Sequence, residues 1–239
     1  MSAAAREARS LDASSLSTGS VRVSRASGCW LFTEAGERFF DATGGSGAVN
    51  LGHQHPRVVA AIHRQADRLL HTGWNLRSTV RDALVEKLGH FSPYSPCGVL
   101  FTVTGAEGVE AALKIARAHT GRRTVVAFDR SYHGKTAGAL AVTWRTDFRR
   151  FSPEAQEAPV RFIPYPLPEE GSDSDAVVRA LEEVLAGAAA EGAPAAAVIL
   201  EPVQAAEGFL PGGEPFLREV LRLARKHGAV SIFDEIITG

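Results

Sequence analysis

Four stretches set polar residues or glycine just beyond apolar runs. They are Thr104-Gly105-Ala106-Glu107 after "GVLFTV", Ser131-Tyr132-His133-Gly134 shortly after "TVVAF", Glu201-Pro202-Val203-Gln204 after "AAAVIL", and Asp234-Glu235-Ile236-Ile237 after "AVSIF". At a strand-to-helix turn, Gly105 leaves the first N–H groups of the helix free to face an anion such as a phosphate, and Thr104 adds a hydroxyl. The same residues also make an ordinary helix cap. Tyr132 offers a flat ring to a planar ligand, and Tyr132 with His133 equally suits a packed loop. Glu201 and Asp234 are carboxylates at the ends of apolar runs, where each needs hydrogen-bond partners or a cation. For Glu201 a neighbouring loop can supply them. For Asp234 the cation is a protonated ring nitrogen or an arginine, and a strand-end cap is the other reading.

The elements that must carry these residues alternate. "CWLFTEAGERFFDAT" reads as a hairpin, with a strand to Thr33 and another through Phe39 to Asp41. Pro56 opens a helix with an apolar stripe at Val58, Val59, Ile62, Ala66 and Leu69, and a second helix follows near 78–90. From residue 98 onward apolar strands and amphipathic helices take turns: strand 98–103, a helix ended by Gly121, strand 124–128, a loop and helix, a strand at "VRFIPY", helix 174–186, strand "AAAVIL", helix 215–227 and strand "AVSIF". Glu110 and Lys114 are spaced for an i,i+4 pair. Such an order predicts an α/β fold, a mostly parallel sheet with helices on both faces. Ligands of these sheets bind beyond the carboxyl ends of the strands, where the four stretches lie.

Bulk properties narrow the classes. The 239 residues are 45% apolar and 22% charged with a formal net charge of −1, so no basic field points to nucleic acid. Cys29 and Cys97 lack partners at metal-ligand spacing and read as free thiols. The Ala/Ser/Arg-rich start has no apolar core and reads as a flexible arm over 1–27, not a secretory signal. The apolar stretch "AAAEGAPAAAVIL" is interrupted and too short for a bilayer, which predicts a cytoplasmic chain with no membrane partner. Neither a G-x-G-x-x-G fingerprint nor a Walker A sequence is present, which counts against NAD and nucleoside triphosphates.

Taken in order, "NLGHQHPRVVAAI", "TGAEGVEAALKIARAHTGR", "SYHGKTAGALAVT", "ILEPVQ" and "FDEIITG" resemble the N-terminal portion of class III (omega) aminotransferases. The resemblance runs over about residues 28–239. It implies the aspartate-aminotransferase fold (pyridoxal-phosphate fold type I), C-terminally incomplete here, with residues 28–75 contributing to a small domain and 76–239 forming a partial cofactor-binding domain. It implies pyridoxal 5′-phosphate as cofactor, held at its phosphate by the backbone of Gly105 and Ala106. Tyr132 and Ile236 would lie on the two ring faces, Asp234 would pair with the ring nitrogen, Glu201 would belong to the polar network around the ring, and His133 would sit behind them. The implied reaction moves an amino group from an ω-amino acid or diamine to a keto acid, in a homodimer.

The chain departs from the family pattern in four places. Ala205-Ala206-Glu207-Gly208 stands where Gly-Glu-Gly-Gly is common, so the glutamate falls one place late. Lys135, at the substrate-facing position, replaces an arginine and loses its planar fork. Ile237 replaces a glutamine. The family's Schiff-base lysine would lie downstream of residue 239, and none of Lys87, Lys114, Lys135 and Lys226 matches it. No catalytic residue is therefore assigned, and these residues alone are expected to be inactive. A non-catalytic truncated or split chain, acting as a cofactor cradle or interaction partner, is the alternative. A decarboxylase or aminomutase would share the same cofactor groups.

Overall fold

The computed structural model describes residues 21–73, 75–150, 152–167 and 174–239. Residues 1–20 of the expected arm lie outside the described residues. The chain divides into two units, Met1–Leu84 and Val85–Gly239.

In the first unit, β1 (Val23–Ser27), β2 (Trp30–Thr33) and β3 (Arg38–Phe40) form an antiparallel meander. The expected β2–β3 hairpin is present, and β1 was not foreseen. Val23–Ser27 lies inside the stretch read as an arm because its composition is polar. It is a strand because β2 has a second edge, along which Ser27 pairs with Trp30 and Ala26 with Leu31. Beyond β3, a glycine-rich loop folds around Asp41. That carboxylate accepts from the N–H groups of Thr43 and Gly45 and from the Thr43 hydroxyl, and it lies 2.8 Å from His53 Nε2. Helix α1 (Pro56–Ala66) starts on its proline, and α2 (Thr79–Phe91) leads across the division.

The second unit carries the alternating elements. They are α3 (Gly105–Thr120), β4 (Thr124–Phe128), α4 (Ala137–Val142), α5 (Thr146–Arg149), α6 (Pro153–Glu157), β5 (Val160–Ile163), α7 (Ser174–Ala190), β6 (Ala195–Leu200), the short hairpin strands β7 (Val203–Gln204) and β8 (Leu210–Pro211), α8 (Glu214–Lys226) and β9 (Val230–Phe233). The main sheet has the order β5-β4-β6-β9, with every pairing parallel. Alternate residues serve opposite faces. Val126, Phe128, Val198 and Leu200 pack with Leu181, Leu185, Phe216 and Leu223 of α7 and α8. Val125, Ala127, Ala197 and Ile199 pack with Val109, Leu113 and Ala116 of α3 and with Ala139 and Val142 of α4. Both faces are covered, which is why these strands read as unbroken apolar runs.

One expected strand is absent. Residues 98–103 are irregular, and Val103 is 91% exposed. Its apolar sequence suits a sheet, but no described strand offers it a ladder, and a strand without a partner leaves its backbone groups unpaired.

Candidate active site

The parallel register brings three acids to one edge of the sheet. Val126 of β4 is level with Val198 of β6, and Leu200 of β6 with Phe233 of β9, so Asp129, Glu201 and Asp234 leave their strands side by side. The backbone ladder continues one residue further at each outer member, where Asp129 N–H donates to Ile163 O and Asp234 N–H to Leu200 O.

His133 and Glu201 are buried, and the Asp234 carboxylate is largely enclosed beside them. The Asp234 side chain is 6% exposed, and Oδ2 lies 2.7 Å from Nδ1 of His133, whose side chain is fully buried. The Ile236 N–H donates to the other carboxylate oxygen at 3.2 Å. His133 is fixed in turn by its backbone N–H, which donates to the buried Thr143 hydroxyl at 2.9 Å. Its second ring nitrogen, Nε2, is buried and has no partner among the described residues.

Glu201 has a different task. Its Oε1 accepts from the Tyr132 N–H at 2.9 Å, and Oε2 lies 3.3 Å from the Ala205 N–H. The carboxylate thus ties the Tyr132 loop to the residue that follows β7. Burial raises its pKa, and the two backbone donors and the nearby His133 oppose that rise only in part. Asp129 is raised by burial in the same way while accepting from the Tyr165 N–H.

Helix α3 supplies the anion-facing turn. Thr104 and Glu107 form a capping box, with Thr104 Oγ1 accepting from Glu107 N–H and Glu107 accepting from the Thr104 and Val103 N–H groups. That box leaves the N–H groups of Gly105 and Ala106 without an acceptor among the described residues. Gly105 faces Ile236 so closely that a Cβ there would lie 3.2 Å from three of the isoleucine's carbons. Tyr132 is half-buried and meets Phe148 edge to face at 6.1 Å. The structure therefore brings Gly105, Ala106, Tyr132, His133, Glu201, Asp234 and Ile236 to one end of the second unit.

The sequence profile described as "Aminotransferase class-III" matches residues 13–239. The chain belongs to the class III aminotransferase family. A probable 4-aminobutyrate aminotransferase of Bacillus subtilis is 37% identical over 222 residues, 89% of this chain and 50% of that protein. A [LysW]-aminoadipate semialdehyde/glutamate semialdehyde transaminase of Sulfurisphaera tokodaii is 31% identical over 220 residues, 92% of this chain and 52% of that protein. An amine transaminase from an uncultivated Pseudomonas species, solved in its PLP-bound form, superposes with a TM-score of 0.82 at 27% identity, covering 94% of this chain and 55% of that one. The fold is that of these transaminases, and the chain spans about half the length of the curated relatives it matches.

The four lysines of the chain have other surroundings than the acids at the strand ends. Lys135 holds its Nζ 4.4 Å from the centre of the Phe148 ring. Lys226 pairs with Glu182 at 2.8 Å, and Lys87 and Lys114 are exposed. The late glutamate, Glu207, lies 3.9 Å from Arg145. Ile237 is partly exposed.

Several site-forming residues escaped the sequence reading. Asp129 carries the same signal as Asp234, an acid just past an apolar run, and no role is read for it from the sequence. Thr143 gives no signal, being one more small residue in "ALAVT". Glu110 misled: the i,i+4 spacing pointed to Lys114, but its carboxylate accepts from the Gly138 N–H on α4 at 2.7 Å. No helix among the described residues is long and apolar enough to cross a membrane, and none of their acid, histidine and cysteine clusters can hold a metal ion.

Proposed function

We propose that this chain holds pyridoxal 5′-phosphate for a transamination between an ω-amino acid or diamine and a keto acid. The whole protein would be a cytoplasmic homodimer with small-molecule partners only. The observation that carries the reading is the buried Asp234 carboxylate, held by His133 and Ile236 at the end of β9, beside the acceptor-free N–H groups of Gly105 and Ala106. The residues present fit the group. Two free N–H groups at a helix start suit a phosphate, a buried carboxylate with a fixed orientation suits a protonated ring nitrogen, and a partly exposed isoleucine beside them suits an aromatic face.

In this reading Gly105 and Ala106 bind the phosphate, and Ile236 and Tyr132 flank the ring. Asp234 keeps a proton on the ring nitrogen, and Glu201 fixes the Tyr132 backbone. Bound pyridoxal phosphate supplies an electron sink for the carbon that bears the amino group. Lys135 would meet the far end of the substrate as a point charge, without the two-bond grip an arginine gives to a carboxylate. The names of the two curated relatives, which concern 4-aminobutyrate and semialdehydes, support a donor whose amino group is remote from its other polar end.

A second reading follows from the lysines, of which Lys226 pairs with Glu182, Lys135 lies over the Phe148 ring, and Lys87 and Lys114 are exposed: these residues form a cofactor cradle without a covalent anchor. Adding pyridoxal phosphate and then borohydride tests both readings. The expected result is a shifted cofactor spectrum that is lost on washing, with no mass added at Lys87, Lys114, Lys135 or Lys226. Stoichiometric reduced cofactor on one of those lysines would overturn the second reading. No spectral shift at any cofactor concentration would overturn the first.

A further inference from the structure

The two halves of the proposed site sit on different elements. The phosphate-facing turn belongs to α3, and the Tyr132–His133 loop belongs to the segment that runs into α4. A pair of residues four apart on α3, Ala106 and Glu110, meets a pair four apart on that segment, Gly134 and Gly138. A Cβ at Gly134 would come within 2.7 Å of the Ala106 Cβ, and one at Gly138 would overlap the Glu110 carboxylate. Both glycines are therefore points of close backbone approach.

Glu110 does more than fill this contact. The cap residue of α4, Thr136, makes no capping bond with its own side chain. Glu110 supplies the cap instead, accepting from the Gly138 N–H at 2.7 Å and lying 3.3 Å from the Ala139 N–H. The far end of α4 is tied back to the site. Thr143, which closes the helix, accepts from the His133 N–H and can donate to Gly134 O at 3.1 Å or Ala139 O at 3.0 Å. A continuous path then runs from Glu110 through α4 and Thr143 to His133, and from His133 Nδ1 to Asp234.

We propose that Glu110 is a positioning residue: by capping α4 from α3 it sets the spacing between the Gly105–Ala106 turn and the Tyr132–His133 loop. This rests on the proposed function, in which those two parts hold opposite ends of one cofactor. Glu110 touches neither end. Its contribution is to hold the two subsites at the separation one molecule can bridge, so it acts through the effective concentration of the second contact once the first has formed.

The effect is separable from plain destabilisation. Pyridoxine 5′-phosphate bridges both subsites, whereas pyridoxine and inorganic phosphate each occupy one, and none of the three carries an aldehyde that could react with surface lysines. In the 239-residue chain, Glu110→Ala is expected to weaken pyridoxine 5′-phosphate binding about tenfold while leaving pyridoxine and phosphate within about twofold. Glu110→Gln, which keeps a carbonyl acceptor, should restore most of the loss. Gly138→Ala, which leaves Glu110 in place and obstructs its approach, should repeat the selective loss if Glu110→Ala folds poorly. An equal loss for all three ligands, or no loss for any, overturns the proposal. Amide exchange of the ligand-free chain separates this failure from failure of the cofactor reading. Faster exchange at His133 in Glu110→Ala supports the positioning role whether or not a cofactor binds, and unchanged exchange there overturns it.

Discussion

At the scale of single residues, the His133–Asp234 pair fixes the orientation of the carboxylate at the end of β9. The imidazole is fully buried, with Nδ1 2.7 Å from the carboxylate and Nε2 without a partner among the described residues. Asp234 as a carboxylate only accepts, so the proton of this bond belongs on Nδ1. The arrangement thus sets an N–H donor behind a carboxylate and leaves that carboxylate's remaining acceptor capacity for a cation. His133→Asn places an amide N–H near the position of Nδ1, while His133→Phe keeps the bulk and removes the donor. We expect His133→Phe to lower stability by about 1–3 kcal/mol and to weaken pyridoxal phosphate binding, with His133→Asn recovering part of both. Thermal melts and spectral titration measure them. A His133→Phe chain that binds the cofactor as tightly as the parent would show that Asp234 needs no such donor.

At the scale of elements, legibility followed whether an element's partner lies nearby in sequence or only in space. The ends of α3 were readable because their signals are local: Thr104 with Glu107 at the start, and Gly121 at φ +67° at the end. Strands β4, β6 and β9 were readable because burial on both faces demands unbroken apolar runs. Residues 98–103 carry the same signal and form no strand, since no run of residues encodes the ladder it needs. Glu110, Thr143 and the contact of His133 Nδ1 with Asp234 were illegible for a related reason, because their roles depend on partners 10 to 101 residues away. The loop after β3 is the reverse case, held by one residue. Burial opposes the charge on Asp41 only weakly, and hydrogen bonds led by His53 and Thr43 lower its pKa from 3.8 to about 2. A lowered acid stabilises the folded loop fully above about pH 4, and that contribution disappears as the pH falls through about 2. Asp41→Asn should therefore destabilise the chain at neutral pH and flatten the dependence of its stability between pH 4 and 2. Chemical denaturation monitored by circular dichroism at several pH values reads both. Parallel pH profiles for the two chains would remove Asp41 as the acid-sensitive group.

At the scale of the whole molecule, apolar surface is left uncovered in each unit. In the first, no residue of α1 is buried, although its stripe at Val58 and Ile62 is amphipathic, and Leu70 beyond it is 85% exposed. In the second, Phe91 is 85% exposed, and Leu100, Val103 and Ile236 are also open to solvent. Soluble monomers rarely show contiguous apolar patches of more than a few hundred Å². Each leucine- or phenylalanine-sized side chain removed from water is worth about 1.5–3 kcal/mol. The net charge of −1 supplies little repulsion to keep copies apart. Among the described residues strand β9 is paired on one side only, by β6, which adds an open edge. Hydrophobic association should therefore dominate the behaviour of the 239 residues in solution. We expect concentration-dependent self-association at micromolar levels in sedimentation velocity, little changed by salt because apolar contact rather than charge drives it. Replacing Ile62 and Leu70 together by serine should reduce association through the first unit and leave the α/β core intact by circular dichroism. A chain that sediments as a monomer at every concentration and melts in one cooperative step would show that these surfaces are covered from within.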